Sequence, residues 1–318
     1  MSDESVILAG AEVRSIVPIN GSAAAIQNAQ SRAPALRGLQ YPSRKLTQLD
    51  VWHDPDMSAI WCITRADASA HYSFAMLDEI VHVMSEAKGY IDSLADPDLA
   101  PQFWIMASDL PGVFRLGGDL EIFLDCIARN DRAALRDYAI ACIQAIHISI
   151  VNCNAPLVSI AVVEGDALGG GFEAALTFDF IVAEKRARFG FPEVLFNSFP
   201  GMGAYSLLSR KLGGQKAKDI IRSGQIFTAE QMKDLGIVHR LTENGEARKV
   251  AVDLVREFKS KHASLVGQNR VERAVSPITF KELEDVVDIW VDTMMEAQRK
   301  DRRKMELLLS AQKRLKSK

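Results

Sequence analysis

The chain lacks several features that mark whole classes of protein. It has four cysteines in 318 residues, Cys62, Cys126, Cys142 and Cys153, and no two of them have CxxC spacing. This usage argues against a disulfide framework or a zinc site and favours reduced thiols. No segment approaches the roughly 18 consecutive apolar residues of a membrane-spanning helix. The first residues, MSDESVILAG, lack the basic start and apolar run of a secretory signal. We therefore expect a cytoplasmic protein with no membrane insertion.

A large net charge and nucleotide-binding motifs are also absent. The net charge is -3, so no overall basic field indicates a nucleic-acid partner. No GxGxxG follows an apolar strand, and no GxxxxGK[ST] occurs. These absences exclude the common dinucleotide and phosphate-loop sites, and we expect neither a cofactor nor a metal.

What is present is a pattern of alternating strands and helices. Short runs rich in aromatic and β-branched residues predict strands at 49–53, 59–64, 103–108, 157–163 and 178–183. Apolar stripes at helical spacing predict helices over 73–87 and 132–150. This alternation predicts an α/β fold.

Composition divides the chain into three parts. Residues 1–44 are small and polar and predict an N-terminal arm that is partly disordered. An α/β core is expected over 45–260 and a C-terminal helical region over 261–318. Thr228 and Gln231 have the spacing of a capping box, and 279–315 predict one or two long amphipathic helices.

Two glycine-rich segments follow predicted strands. In FRLGGDL, 114–120, the glycines leave amide hydrogens free for a ligand. Taken alone, however, the segment favours an ordinary turn with Asp119 capping a helix at Leu120. In GDALGGGFEAAL, 165–176, we expect a helix to begin near Gly170, whose N–H has no acceptor within the helix and lies at the positive end of its dipole.

Two glutamates complete a possible site. Glu173 lies one helical turn after Gly170, and Glu193 lies in the apolar run RFGFPEVLF, where burial tunes the ionisation of a carboxylate. Alternatively, Glu173 complements the helix dipole and Glu193 is a surface residue on a turn. An acyl thioester that passes through an enolate-like or tetrahedral state needs two donors at its oxygen and carboxylates that move protons nearby. The glycines of the two segments and the two glutamates meet that need together.

These segments resemble the crotonase (enoyl-CoA hydratase/isomerase) superfamily in order and spacing over about residues 45–260. The resemblance implies a spiral α/β core of repeated β-β-α units with a helical C-terminal part, and a homotrimer or dimer of trimers. It implies oxyanion-hole amides at Gly118 and Gly170 and catalytic carboxylates at Glu173 and Glu193. Further substrate-binding positions follow from the same resemblance: Leu168, Gly169, Met202 and Trp290.

A narrower resemblance is to the diffusible-signal-factor synthases, carried by FRLGGDLEIF, the 165–176 segment, FPEVLFNSFPGMGAYS and DIWVDTMM at 288–295. It implies dehydration of a 3-hydroxyacyl group on acyl carrier protein and hydrolysis of the thioester, which gives a cis-2-unsaturated fatty acid signal. A sensor histidine kinase is an implied partner. Asp119 and Glu121 stand where generic hydratases often carry a basic residue, which weakens acyl-CoA as the substrate.

Two other functions stay open at this point. An ordinary enoyl-CoA hydratase or isomerase shares the same motifs, and acyl-CoA is then the substrate. A binding or regulatory protein that senses acyl thioesters is disfavoured because both glutamates are present. The basic segments QRKDRRK and QKRLKSK suit an acidic carrier protein, but a solvated helix face explains them as well. We expect His147 and His239 to be structural.

Overall fold

The computed structural model describes residues 41–316. Residues 1–40 of the predicted N-terminal arm lie outside the described part of the chain. The described part contains ten strands, and their bounds are β1 Leu49–Asp54, β2 Ala59–Thr64, β3 Phe103–Ser108, β4 Val113–Arg115, β5 Val158–Val163, β6 Asp166–Leu168, β7 Phe180–Glu184, β8 Arg188–Gly190, β9 Ile226–Thr228 and β10 Arg240–Thr242.

The strands form two sheets. The larger has the order β1-β2-β3-β5-β7-β10, and all its pairs are parallel except β1–β2. The smaller has the order β4-β6-β8-β9, with only β8–β9 antiparallel. A strand of the large sheet is followed three times by a short strand of the small sheet and then by a helical segment, which gives the predicted repeat of β-β-α units.

Eleven α-helices are present in the described residues: α1 Phe74–Ser93, α2 Leu120–Ala128, α3 Arg132–Ile150, α4 Gly170–Leu176, α5 Ala204–Leu212, α6 Gly214–Ser223, α7 Ala229–Asp234, α8 Ala247–Lys259, α9 His262–Val275, α10 Phe280–Met295 and α11 Arg299–Lys316. Three 3₁₀ helices cover Pro97–Leu99, Asn152–Asn154 and Pro192–Phe196. The capping box of Thr228 and Gln231 forms at the start of α7 as predicted.

The large sheet is buried on both faces because its side chains alternate between two cores. On β3, Trp104 and Met106 point into the larger core, whereas Phe103 and Ile105 pack in a second core with Phe258 of α8. Parallel strands covered on both faces are nearly continuous in apolar character. This explains why FWIMAS is uniformly apolar instead of alternating.

Some predicted boundaries differ from the structure, and the largest difference is in α1, which is expected over 73–87 and extends to Ser93. The strand expected over 178–183 begins at Phe180, because Asp179 turns its carboxylate back to accept hydrogen bonds from Ser159 N at 2.7 Å and Asn152 Nδ2 at 2.9 Å. The stretch 279–315, predicted as one or two helices, forms two, α10 and α11, and α9 precedes them in the C-terminal helical region. Asp301, buried in the first turn of α11, accepts a bond from Gln298 N at 3.1 Å and so caps a separate helix.

Helix α10 is held against α3 along a charged seam. Arg136 donates to Asp288 at 2.6 Å and to Glu284 at 2.9 Å, and Arg132 donates to Asp292 at 2.8 Å. Exposed ion pairs contribute little individually to stability. Their consequence here is geometric, because they fix the position of α10 along α3 and therefore the place where Trp290 packs into the larger core.

Candidate active site

Glu173 is held at the first turn of α4 with one carboxylate oxygen fixed. The residue is 1% exposed, and its Oε1 accepts hydrogen bonds from the amides of Met202 at 2.8 Å and Ala204 at 2.9 Å. The two amides converge because Gly203 adopts φ 114, a backbone conformation that glycine tolerates best. The Gly-Met-Gly segment therefore orients this carboxylate.

Glu193 lies on the 3₁₀ helix Pro192–Phe196. Pro192 begins this helix, and Asn197 ends it in the left-handed conformation with φ 60. The Oε2 atom of Glu193 is buried and has no hydrogen-bond partner among the described residues. A Cβ on Gly169 would lie 2.6 Å from Glu193 Oε1, so the carboxylate rests directly against the turn that precedes α4.

Burial raises the pKa of both carboxyl groups. The pKa of Glu173 rises from 4.5 to about 7, mainly by desolvation, while the two amide donors act in the opposite direction. The pKa of Glu193 rises from 4.5 to about 8, by desolvation and then by the negative charge of Glu173. Near neutral pH the pair therefore holds about one proton, which supplies one acid and one base.

The two glycine loops contact each other through their backbones. A Cβ at Gly117 would lie 2.8 Å from Gly170 N, and a Cβ at Gly170 would lie 3.3 Å from Gly117 Cα. Gly170 is the first residue of α4, so its N–H has no acceptor within the helix. The N–H of Gly118 also donates to no described residue. Two unpaired amides thus lie close together beside the carboxylates.

The consecutive glycines of the GGG segment are required by three different neighbours. Gly169 lies against Glu193. A Cβ on Gly170 would lie 2.6 Å from Met202 Sδ, and a Cβ on Gly171 would collide with the carbonyl of Arg115 on β4. A side chain is excluded at Gly171 by backbone and is disfavoured at Gly169 by its φ of 57, whereas at Gly170 the flexible Met202 side chain would have to shift. The segment is therefore the point where the helix, the small sheet and the second carboxylate meet.

A cavity of about 520 Å³ joins these groups. Its wall includes all eight positions that the sequence singled out: Gly118, Leu168, Gly169, Gly170, Glu173, Glu193, Met202 and Trp290. The structure thus brings the predicted residues together, while their individual roles stay predictions. Trp290 is 6% exposed and packs edge-on against Phe123, with ring centroids 5.0 Å apart.

Many residues of the cavity wall are not predicted from the sequence. Tyr138, Ala139 and Cys142 of α3 line it, as does Leu308 of α11. On α3 they belong to the same apolar stripe that predicts an ordinary core-facing helix, so the pattern carries no separate signal. Met294, one turn after Trp290, is buried against Ser198 and does not line the cavity.

One wall of the cavity carries an ion pair. Arg188 of β8 donates to both carboxylate oxygens of Asp166 on β6, at 2.9 Å and 2.7 Å. The pairing satisfies both charges locally. Glu173 and Glu193 are therefore the charged residues of the cavity lining that have no ion-pair partner among the described residues.

Both histidines that the sequence predicts to be structural have local packing partners. His239 Nδ1 accepts a hydrogen bond from Ile181 N at 3.0 Å, and burial lowers its pKa to about 4. The ring of His147 packs edge-on against Phe280 at 5.7 Å. Neither lines the cavity.

The raised pKa values predict a bell-shaped dependence of kcat/KM on pH, with limbs near 7 and 8. Below the lower limb both carboxyls are protonated and no base remains. Above the upper limb both are ionised and no acid remains. A steady-state pH profile tests this, and a flat profile between about pH 6 and about pH 9 contradicts it.

The same values predict that stability falls as pH rises. The folded protein binds these protons more tightly than the unfolded chain, whose glutamates have a pKa near 4.5. Their contribution to the free energy of unfolding is fully present below that value and is lost as pH rises through 7 and 8. Urea unfolding at about pH 5.5 and about pH 8.5 measures this loss of stability. The difference in the free energy of unfolding between the two pH values should be smaller in Glu193→Gln.

Comparison with known proteins identifies the family. A family model described as enoyl-CoA hydratase/isomerase matches residues 90–314. The chain therefore belongs to the enoyl-CoA hydratase/isomerase family, which confirms the resemblance drawn from the motifs at the level of the superfamily.

Individual relatives cover parts of the chain. It is 32% identical to the mitochondrial methylglutaconyl-CoA hydratase of Mus musculus over 190 residues, which cover 58% of this chain and 56% of that protein. It is 36% identical to the short-chain-enoyl-CoA hydratase of Clostridioides difficile over 116 residues, 36% of this chain and 69% of that one. The chain spans about half the length of the methylglutaconyl-CoA hydratases it matches.

Solved structures share the fold. An enoyl-CoA hydratase of Bacillus halodurans superimposes with a TM-score of 0.69 at 18% identity, covering 82% of this chain and all of that one. A structure of Pseudomonas aeruginosa DspI superimposes with a TM-score of 0.64 at 23% identity, covering 81% of this chain and 100% of that one. The α/β core with a helical C-terminal part is thus the crotonase fold.

None of the helices in residues 41–316 combines the length and the apolar character that crossing a membrane requires.

Proposed function

We propose that the protein hydrates the C2=C3 double bond of a 2-enoyl thioester, with acyl-CoA as the substrate. The observation that carries the proposal is the pair of the buried Glu173 and the partly buried Glu193, which faces the unpaired amides of Gly118 and Gly170 across one apolar cavity. The enoyl-CoA hydratases among its relatives support the same reaction class.

Each step uses groups that line the cavity. The ionised carboxylate takes a proton from water as the water oxygen bonds to C3, and the π electrons move toward the thioester oxygen. The amides of Gly118 and Gly170 stabilise the negative charge that develops there. The protonated carboxyl then gives its proton to C2, which leaves a 3-hydroxyacyl thioester. The pair exchanges its proton state during the cycle, and the reverse sequence is dehydration.

The C-terminal helices favour a second candidate, the signal synthase. Trp290 of α10 and Leu308 of α11 help to line the cavity and extend its apolar wall. Exposed basic residues at the start of α11, Arg299, Lys300, Arg303 and Lys304, suit an acidic carrier protein. In this function the site dehydrates a 3-hydroxyacyl group and then directs water at the thioester carbonyl, which releases the fatty acid and the carrier thiol.

Partners and assembly belong to the same proposal. A homotrimer or dimer of trimers follows from the family resemblance, and a sensor histidine kinase follows only from the signal synthase. Both stay predictions, and so do acyl carrier protein as donor and the thioesterase step.

Substrate assays separate the two functions. We expect purified protein to hydrate crotonyl-CoA and trans-2-dodecenoyl-CoA, measured by loss of enoyl absorbance. 3-Hydroxydodecanoyl-acyl carrier protein, followed by mass spectrometry, is the parallel reaction, and the double variant Glu173→Gln/Glu193→Gln is the blank. Release of a free 2-enoic acid from the carrier protein, without hydration of either enoyl-CoA, would replace the hydratase by the synthase. No turnover of any of the three substrates contradicts both.

A further inference from the structure

The hydroxyl of Tyr138 lies between the two chain segments that frame Gly118. It accepts a hydrogen bond from Asp119 N at 3.0 Å and donates one to Tyr72 O at 2.6 Å. Tyr72 N in turn donates to Gly117 O at 2.9 Å. Gly117 and Asp119, the two neighbours of Gly118, are thus both linked by hydrogen bonds to Tyr72, Asp119 through the Tyr138 hydroxyl.

This arrangement determines where the Gly118 amide points. Successive N–H groups of an extended segment point to opposite sides. Gly117 O and Asp119 N are both engaged with the Tyr72 side, and Gly118 forms an isolated bridge with Tyr72 there. The N–H of Gly118 therefore faces away from Tyr72, toward Gly170 and the cavity.

Tyr138 is itself fixed on every side. It is 1% exposed, and its ring packs edge-on against Phe123 at 5.8 Å and Phe74 at 5.3 Å. Burial raises the pKa of its phenol well above 10, so the hydroxyl stays protonated and keeps donating. The long helix α3, which the ion pairs of Arg132 and Arg136 join to α10, carries this side chain.

We propose that Tyr138 is the positioning residue of the oxyanion hole: its hydroxyl ties Asp119 to Tyr72 and so aims the Gly118 N–H at the thioester oxygen. The proposal rests on the proposed function, in which that amide stabilises the developing charge. Tyr138 acts through the loop backbone, whereas Gly118 is the group that touches substrate.

The hydroxyl of Tyr138 can be removed by substitution while the aromatic ring is kept. Tyr138→Phe keeps the aromatic contacts and removes the hydroxyl, and with it the link between Asp119 and Tyr72 and an interaction with Cys142 one turn along α3. Loss of a whole oxyanion donor costs about 10²–10³ in rate, so a misaimed donor should lower kcat about 10- to 100-fold. KM should change by less than about threefold, because the ground-state carbonyl depends less on this bond than the transition state.

Tyr41→Phe is the matched control. The Tyr41 hydroxyl is also buried and donates to a backbone carbonyl, that of Val83, at 2.8 Å, and Tyr41 does not line the cavity. It reports the cost of losing a buried tyrosine hydroxyl elsewhere in the same core. We expect this variant to keep wild-type kcat even if its Tm falls.

The decisive readout is the infrared carbonyl stretch of bound butyryl-CoA labelled with ¹³C at the thioester carbon. Two donors shift the stretch to lower frequency, so Tyr138→Phe should move it back toward the free value and Tyr41→Phe should not. A wild-type stretch in Tyr138→Phe, or an equal loss of kcat in both variants, overturns the proposal. If the wild type shifts the stretch but hydrates no enoyl thioester, the proposed function fails while the stretch still decides the role of Tyr138.

Discussion

Replacing Glu193 with glutamine is expected to lower kcat for hydration by about 10²–10⁴. Glutamine has nearly the same shape but neither accepts the proton of water nor returns one to C2. The side chain lies in the apolar cavity with Oε2 unpaired, so the charge that it carries in the wild type is costly to bury. We therefore expect the variant to be at least as stable as the wild type at about pH 8.5, which excludes misfolding as the cause of the loss.

Glu79→Gln is the contrasting variant for this experiment. Glu79 is also a buried carboxylate, but its oxygens accept hydrogen bonds from the amides of Thr47, Gln48 and Leu49 at 2.6–3.1 Å, away from the cavity. Here glutamine loses charge-assisted bonds, so Tm should fall while kcat at a permissive temperature stays near the wild-type value. Activity of Glu193→Gln within about threefold of wild type would remove Glu193 from the mechanism.

Substituting alanine for Gly170 is expected to lower kcat by about 10²–10³, as loss of an oxyanion donor does. The new Cβ would lie 2.6 Å from Met202 Sδ and 3.3 Å from Gly117 Cα. Met202 can shift, but the backbone of the Gly117 loop must move away from α4. Both amide donors are then displaced from a common point, although neither has been chemically removed.

Gly267→Ala is the matched glycine control. Gly267 lies within α9, and a Cβ there meets no atom within 4 Å. Alanine favours the helix at such a site, by about 1 kcal/mol. Steady-state kinetics and thermal unfolding of the two variants should therefore separate, with Gly267→Ala fully active and slightly stabilised. Equal activity of Gly170→Ala and wild type would show that the α4 amide is not a donor.

The parts of the site that could be predicted are those whose chemistry is local. Three glycines before a carboxylate determine a tight turn and a helix start, and α4 begins at Gly170 as expected. Asp119 caps α2 at Leu120 through Glu121 N, again a local signal. The spacing of one helical turn then places Glu173 beside Gly170 without any knowledge of the rest of the fold.

The parts that could not be predicted depend on distant segments. The amides that orient Glu173 come from Met202 and Ala204, about thirty residues onward, and no periodicity reports such a contact. Tyr138 occupies an ordinary position in the apolar stripe of α3, and only the fold reveals that its hydroxyl reaches Asp119. The late start of the β7 strand is similar, because Asp179 is held by Ser159 near the start of β5.

The contribution of α10 and α11 to the cavity has a consequence for biosynthesis. A chain emerges from the ribosome N-terminus first, so the glycine loops and both glutamates become available for folding before Trp290 and Leu308 have been made. The wall of the cavity that holds Glu173 and Glu193 is therefore complete only once α10 and α11 have packed against the core.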